Sequence, residues 1–187
     1  IKPLVVYAPY LGMGHNPDEL IDDSPIEGGP ENFEGRYPGE VTLTEALAWS
    51  SNVAAWKLFE QLTPEYGMSF VKKMHFRKIG EDEHYMAACL GGWSYGTSSL
   101  EMASAYAALA NDGIYREPTA VMRITDSKGR LIVDNGGSDT EVYDKNAARM
   151  VSSMLQYGVE QGIATGARLD NAIVAVKTGT TTDNKDG

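Results

Sequence analysis

Residues 41–52 read VTLTEALAWSSN, and this stretch decides how the middle of the chain folds. Thr42 and Glu45 have the spacing of a capping box, so we expect a helix to begin there. The polar run at 50–52 favours caps and turns over a helix interior, so this helix should stop where the run begins. Asn52 can then cap a second helix. The stretch therefore predicts two helices with a polar break between them.

The polar break can also carry chemistry. Ser50 and Asn52 stand two positions apart and can point into one cleft. There the hydroxyl can relay a proton, and the amide can both donate to and accept from a peptide substrate. The alternative interpretation is that both residues only cap helix ends. The triplet alone does not decide between the two, so the answer depends on partners elsewhere in the chain.

A second candidate lies near the end of the chain, where the apolar residues 172–176 predict a strand over about 172–178. Lys177 follows the apolar residues, and the hydroxyls of Thr178 and Thr180 lie two residues apart on one strand face. Gly179 lets a ligand approach the backbone closely. The segment can therefore bind a carboxylate and offer a backbone N–H to a developing oxyanion. The alternative is a strand end with a solvated lysine.

Lys2 is the third candidate. A lysine near the start of a helix, here predicted over residues 3–11, is usually just solvated. A lysine held desolvated beside other cations loses its proton more readily, and it can then act as a base toward a nucleophilic hydroxyl. We therefore expect both lysines to face Ser50 and Asn52 across one cleft.

Composition and charge disfavour several classes of function. The formal net charge of the 187 residues is −10, which disfavours nucleic-acid binding. Cys89 is the only cysteine, so an internal disulfide and a thiolate metal cluster are excluded, and the three histidines lack metal-ligand spacing. No apolar run approaches the roughly 20 residues of a membrane helix. We expect no metal and no cofactor, and interpret Asp22-Asp23 and the acidic run at 81–83 as solvated loop charges.

The order of predicted elements indicates an α+β chain. These elements are a helix over 3–11, a long loop over 12–40, the two helices around 50–52, a helix from Thr63-Pro64, a helix from the capping box of Ser98 and Glu101, a hairpin about 126–129, a helix from Asp144 to about Tyr157, and the strand at 172–178.

Taken together, these segments resemble a known family. Lys2, the triplet at 50–52 and the run KTG at 177–179 follow the order of the three active-site motifs of penicillin-binding proteins and serine β-lactamases. The flanking sequence is similar to the transpeptidase domain of a class A penicillin-binding protein over nearly the whole chain. The runs that carry this similarity are PENF (30–33), YPGEVTL (37–43), EALAWSSN (45–52) and YGTSSLEMASAYAALANDGIY (95–115).

The resemblance implies a fold and an activity. The fold is the helix-rich part of the penicillin-binding-protein and serine β-lactamase-like fold with an incomplete antiparallel sheet, and 1–187 is a single partial transpeptidase domain, cut at both ends. The activity is that of a peptidoglycan D,D-transpeptidase, which cross-links stem peptides through a serine acyl-enzyme and is acylated by β-lactams. The family nucleophile stands three residues before the lysine that Lys2 matches, so it falls two residues before Ile1, and the fragment alone is expected to be inactive.

The resemblance also implies residue roles. Lys2 is the general base for acylation, Ser50 relays protons toward the leaving group, and Asn52 holds the stem-peptide backbone. Lys177 supplies positive potential beside the substrate carboxylate.

The run at 178–180 has implied roles as well. Thr178 and Thr180 bind the substrate carboxylate, with Gly179 between them. The N–H of Thr180 is half of the oxyanion hole.

The implied location is the extracytoplasmic face of the bacterial membrane. Contact with the membrane is expected only through segments of the parent protein outside 1–187, and the fragment itself is expected to be soluble. Its partners are stem peptides and β-lactams, with no nucleic acid, and the remaining part of its own domain is a further partner.

Two alternatives stay open. The first is a D,D-carboxypeptidase or β-lactamase of the same fold, against which the loop 12–40 and the run 95–115 argue. The second is a non-catalytic penicillin-recognising sensor or scaffold, which gains support if no serine stands three residues before Lys2.

Overall fold

Helices form most of the computed structural model, which describes residues 1–80 and 82–179. A π-helical segment, Pro3–Tyr7, continues into α1, Ala8–Gly12. The other α-helices are α2 (Leu43–Ala48), α3 (Asn52–Leu62), α4 (Pro64–Lys73), α5 (Ser99–Ala110) and α6 (Lys145–Glu160). Three short 3₁₀ segments are Phe33–Gly35, Met86–Leu90 and Thr165–Ala167.

The strands within the described residues are short and form three antiparallel pairs. They are β1 (Leu20–Asp22), β2 (Glu40–Thr42), β3 (Ile114–Arg116), β4 (Arg123–Thr125), β5 (Leu131–Asp134) and β6 (Asp139–Glu141). β1 pairs with β2, β3 with β6, and β4 with β5. The first pair aligns Leu20 with Thr42 and so returns the loop 12–40 to the start of α2.

The prediction of a strand at 172–178 is wrong for the structure as described. Within the described residues this segment joins no ladder, and its one bridge pairs Ala172 with Leu169. A strand needs a neighbour to satisfy its backbone N–H and C=O groups, and none of the three strand pairs lies beside this segment. Residues 172–178 are therefore an irregular stretch in the structure.

The helix predicted at 3–11 is present, but its first turn is a π-helix. The N–H of Ala8 donates to the carbonyl of Pro3, five residues back. Leu4, Val5 and Val6 are fully buried, and the Tyr143 hydroxyl donates to the carbonyl of Leu4 at 2.9 Å. A helix that is apolar on all sides belongs in the centre of a domain. Single π turns of this kind are frequent at functional sites, and this one begins directly after Lys2.

Both predicted capping boxes are confirmed. The Glu45 N–H donates to the Thr42 hydroxyl at 3.1 Å, and the Thr42 N–H donates to the Glu45 carboxylate at 2.9 Å. Ser98 and Glu101 repeat this exchange at the start of α5. The prediction that Asn52 caps α3 is wrong. Ser51 is the N-cap, and its hydroxyl accepts from the N–H of Ala54 at 2.9 Å.

The hairpin and the final helix are confirmed with small changes in their bounds. β4 and β5 flank a turn in which the Gly129 N–H donates to the Asp126 carbonyl at 3.0 Å. Asp144 caps α6, which continues three residues past the expected end at Tyr157. Among the described residues, every helix is too short or too polar to cross a lipid bilayer.

Glu83 departs from the expected run of solvated charges at 81–83, of which Glu81 lies outside the described residues. Glu83 is 4% exposed. Its carboxylate accepts from the N–H of Ser94 at 2.9 Å and from the hydroxyl of Tyr85 at 2.8 Å. These donors replace water, which lets the charge be buried.

Gly67 marks a close contact between α4 and the first helix. A Cβ there would lie 2.3 Å from Cε2 of Phe59 and 2.5 Å from the carbonyl oxygen of Val5. We expect Gly67→Ala to lower the free energy of unfolding of the complete domain by about 1–3 kcal/mol, the usual effect of overpacking. Urea denaturation measures it. Gly166→Ala is the control, since a Cβ there meets nothing within 4 Å; equal stabilities for the two variants would contradict the close contact.

Candidate active site

Lys2 and the triplet at 50–52 meet in the structure. The ε-ammonium of Lys2 donates to the carbonyl of Ser50 at 2.5 Å and to the side-chain carbonyl of Asn52 at 2.6 Å. It also lies 3.3 Å from the Ser50 hydroxyl. Lys2 is only 7% exposed, so these acceptors replace most of its hydration.

Lys177 reaches the same hydroxyl from the other end of the chain. Its ammonium donates to the Ser50 hydroxyl at 2.6 Å and to the carbonyl of Thr178 at 2.7 Å. The Ser50 oxygen thus accepts from two ammonium groups. A hydroxyl has two acceptor lone pairs and one donor hydrogen, so its hydrogen is left to point away from both lysines.

The backbone of Ser50 makes this meeting possible. Ser50 lies two residues beyond the end of α2 and has a φ of +57°, a left-handed conformation that is uncommon for a residue other than glycine. Its N–H donates to the carbonyl of Leu47 at 3.0 Å, while its own carbonyl accepts from Lys2. Backbone strain of this kind costs on the order of 1–3 kcal/mol and persists only where the surroundings enforce it. Both the carbonyl and the hydroxyl of Ser50 therefore serve the site.

The electrostatics favour a neutral amine at this site. Burial, followed by the charge of Lys177, lowers the pKa of Lys2 to about 7. Burial lowers the pKa of Lys177 to about 8. Burial destabilises the protonated form of both groups, and for Lys2 the like charge of Lys177 adds to this effect. At neutral pH a substantial fraction of Lys2 can therefore accept a proton.

The remaining predicted residues lie beside Lys177. Thr178 and Gly179 are exposed, and the Thr178 carbonyl is held by the Lys177 ammonium. Thr180 lies outside the described residues. The structure therefore places Lys177 at the site, and the carboxylate-binding and oxyanion roles of 178–180 stay predictions.

Two residues that bind the triplet at 50–52 were not predicted from the sequence. Asp23, which the sequence suggested was a solvated loop charge, is 3% exposed and accepts a short hydrogen bond from the Ser51 hydroxyl. Asn32 is 7% exposed and accepts from the N–H of Asn52 at 2.8 Å. The loop 12–40 folds back under α3 and buries both. The signal for Asn32 was its place in the run PENF, which indicated a family but no contact.

No group of three His, Cys, Asp or Glu side chains within 1–80 and 82–179 is arranged to hold a metal ion. The charges at the site come from lysines, which are donors when protonated and bases when neutral. The arrangement is suited to proton transfer and to binding an anionic group.

A family model gives the class of protein. The model of the penicillin-binding protein transpeptidase domain matches residues 1–187, the whole chain. The chain therefore belongs to the penicillin-binding protein transpeptidase domain family.

Curated relatives agree with this family. Penicillin-binding protein 1A of Clostridium acetobutylicum is 32% identical over 201 residues, which cover 99% of this chain and 25% of that protein. Penicillin-binding protein 1F of Bacillus subtilis is 33% identical over 184 residues, which cover 96% of this chain and 25% of that protein. Penicillin-binding protein 4 of Bacillus subtilis is 28% identical and covers 100% of this chain and 30% of that protein. The chain thus spans roughly a quarter to a third of these relatives.

Solved structures share the fold. PonA1 from Mycobacterium tuberculosis in complex with penicillin V superposes with a TM-score of 0.82 at 25% identity, covering 97% of this chain and 52% of that one. Penicillin-binding protein 1A from Haemophilus influenzae gives 0.80 at 23% identity, covering 97% of this chain and 33% of that one. These likenesses confirm the predicted α+β class, a helix-rich part of the penicillin-binding-protein fold.

Proposed function

We propose that residues 1–187 form part of a peptidoglycan D,D-transpeptidase domain, and that the complete domain cross-links stem peptides and is acylated by β-lactams. The family match and the likeness to a structure that holds penicillin V support this. The observation that carries the proposal is the Ser50 hydroxyl, which lies 3.3 Å from the Lys2 ammonium and 2.6 Å from the Lys177 ammonium.

Lys2 is the proposed base for acylation. In the family motif the nucleophilic serine stands three residues before the lysine, about one helical turn away, so we assign it to the position two residues before Ile1. Its oxygen attacks the carbonyl carbon between the two terminal D-Ala residues, and its proton passes to Lys2. A base with a pKa of about 7 is well matched to this step at neutral pH.

Ser50 is the proposed relay to the leaving group. Because its oxygen accepts from both lysines, its hydrogen can donate to the nitrogen of the departing D-Ala, and Lys2 returns the proton to Ser50. The peptide C–N bond breaks and an acyl ester remains on the nucleophilic serine. An amine of a second stem peptide then attacks the ester, gives its proton to Lys2 and releases the serine.

Lys177 and the residues after it are the proposed anion site. The Lys177 ammonium supplies positive charge in an acidic chain, and Thr178 and Thr180, on either side of Gly179, are placed by the family motif to bind the substrate carboxylate. The N–H of Thr180 is proposed as an oxyanion donor. Loss of one such donor typically costs about 3–4 kcal/mol of barrier stabilisation.

Asn52 has two proposed tasks. The family role is to hold the backbone of the stem peptide. Its side-chain carbonyl also accepts from the Lys2 ammonium at 2.6 Å, so the amide fixes the direction in which that ammonium points. We place the complete protein at the extracytoplasmic face of the bacterial membrane, with membrane contact through segments outside 1–187.

Fluorescent penicillin should label the complete protein at one residue, the serine three positions before Lys2. Acylation at that position follows from the motif register. Mass spectrometry of the labelled peptide identifies the residue, and replacing it with alanine is the control that should abolish labelling. Absence of any label on the folded protein, or a label on a different residue, would refute the proposed function. Rapid loss of the label to water without an acceptor amine would favour the hydrolase of the same fold.

Lys177→Ala should slow penicillin acylation of the complete protein at least about tenfold at neutral pH, since it removes the charge at the carboxylate site. The Lys177 charge lowers the pKa of Lys2, so its removal should raise that pKa. The rise of the rate with pH, expected near pH 7 in the unaltered protein, should then shift to higher pH.

Stopped-flow acylation across neutral pH measures both effects. Lys128→Ala, which alters an exposed lysine in the β4–β5 turn, is the matched control and should keep the original profile. An unchanged rate and pH profile in folded Lys177→Ala would mean that Lys177 is a solvated lysine without a catalytic task.

A further inference from the structure

Asp23 binds Ser51 of the triplet at 50–52 and the backbone just after it. Among the described contacts it touches neither lysine. One carboxylate oxygen accepts from the Ser51 hydroxyl in a short hydrogen bond and from the N–H of Ala54 at 3.2 Å. The other accepts from the side-chain amide of Asn32 at 2.9 Å. A carboxylate is well placed here, because the first turn of a helix carries unsatisfied N–H groups and a positive dipole end.

Asn32 completes this support. Its side-chain carbonyl accepts from the N–H groups of Asn52 and Val53, at 2.8 and 3.1 Å, and lies 3.2 Å from the Ser51 hydroxyl. Its amide nitrogen donates to Asp23 and to the carbonyl of Arg36, the latter at 2.9 Å. The N–H groups of three successive α3 residues, 52 to 54, are thus all bound by two loop side chains and the Ser51 cap.

The loop also sets the orientation of the Asn52 amide. The amide nitrogen of Asn52 donates to the backbone carbonyl of Glu31 at 2.7 Å. With the nitrogen turned to the loop, the side-chain carbonyl must face the opposite way, where it accepts from Lys2. The loop therefore decides which end of the amide the lysine meets.

We propose that Asp23 and Asn32 are positioning residues for the acyl transfer, holding residues 51–54 so that Ser50 and Asn52 present their oxygens to Lys2. This inference rests on the proposed function. Ser50 has a left-handed φ of +57°, a conformation that relaxes unless the chain on both sides is fixed. Leu47 binds its N–H from the α2 side, and the buried pair Asp23–Asn32 anchors the chain that follows it.

If Asp23 and Asn32 position the site, the rate of acylation depends on a contact between two residues that do not touch the reacting atoms. A displacement of about 1 Å in a catalytic group can cost about a hundredfold in rate, even when the fold is kept. Asp23 and Asn32 act through Ser51 and Asn52, so their loss should lower the acylation rate constant more than the affinity for the unreacted β-lactam.

The test exchanges the two side chains in the complete protein. Asp23→Asn leaves one amide oxygen, which can accept from the Asn32 amide or from the N–H of Ala54 but not from both, and Asn32→Asp places two carboxylates face to face, so each single variant loses part of the cluster. In the double variant Asp23→Asn/Asn32→Asp the new amide at 23 donates to the new carboxylate at 32, which still accepts from the N–H groups of Asn52 and Val53. The hydrogen bond to the Arg36 carbonyl is lost, so recovery is incomplete. Glu27→Gln is the matched control, because it removes a charge from an exposed side chain of the same loop that the site does not use.

Stopped-flow acylation by penicillin, resolved into the binding constant and the acylation rate constant, is compared with the melting temperature of each variant. We expect each single variant to lower the acylation rate constant at least about tenfold with a smaller change in binding, and the double variant to recover to within about fivefold. Glu27→Gln should match the unaltered protein.

Two results would overturn the inference. One is a folded single variant that acylates at the original rate. The other is a double variant that regains the melting temperature while its acylation rate constant stays as low as in the single variants, since the pair would then only stabilise the fold. If Asn32→Asp does not fold, Asp23→Asn, which keeps an uncharged acceptor at position 23, decides by its rate constant. Failure of the unaltered protein to react with penicillin would count against the proposed function.

Discussion

The site depends on one interaction, in which the ammonium groups of Lys2 and Lys177 both donate to the hydroxyl of Ser50. Burial, followed by the like charge of Lys177, lowers the pKa of Lys2 to about 7, and fixed acceptors offset the cost of keeping Lys2 protonated. Ser50 and Asn52 accept from Lys2, while Ser50 and the Thr178 carbonyl accept from Lys177. The site thus holds two desolvated lysines side by side, which is the arrangement that the proposed acyl transfer needs for a base and a neighbouring cation.

The fold serves this meeting by bringing together three distant parts of the chain. Lys2 directly precedes the buried π-helical segment Pro3–Tyr7, and the Tyr143 hydroxyl donates to the Leu4 carbonyl. Ser50 lies in the short turn between α2 and α3. Lys177 lies on a segment without a strand ladder, and its ammonium donates to the Ser50 hydroxyl. Helices and the turn between them therefore supply two of the three parts of the site, and an irregular segment supplies the third.

The sequence predicted what depends on short-range patterns. The capping boxes at Thr42 and Ser98, the hairpin about 126–129 and the break at 50–52 each involve residues a few positions apart, and all are present. It erred where the outcome depends on distant neighbours. The run at 172–178 needed a partner strand, Asp23 needed the loop to fold back under α3, and the cap of α3 passed from Asn52 to Ser51 because Asn52 is held by Lys2 and Glu31. Such contacts leave no periodicity in the chain.

The most direct test of this account is the protonation of Lys2 itself. An NMR titration of the Lys2 side chain in the complete domain, assigned by comparison with a Lys2→Arg variant, gives its pKa without relying on turnover. The account predicts a pKa of about 7. A value near the ordinary 10.4 of a solvated lysine would show that the two ammonium groups do not share a desolvated site, and would contradict it.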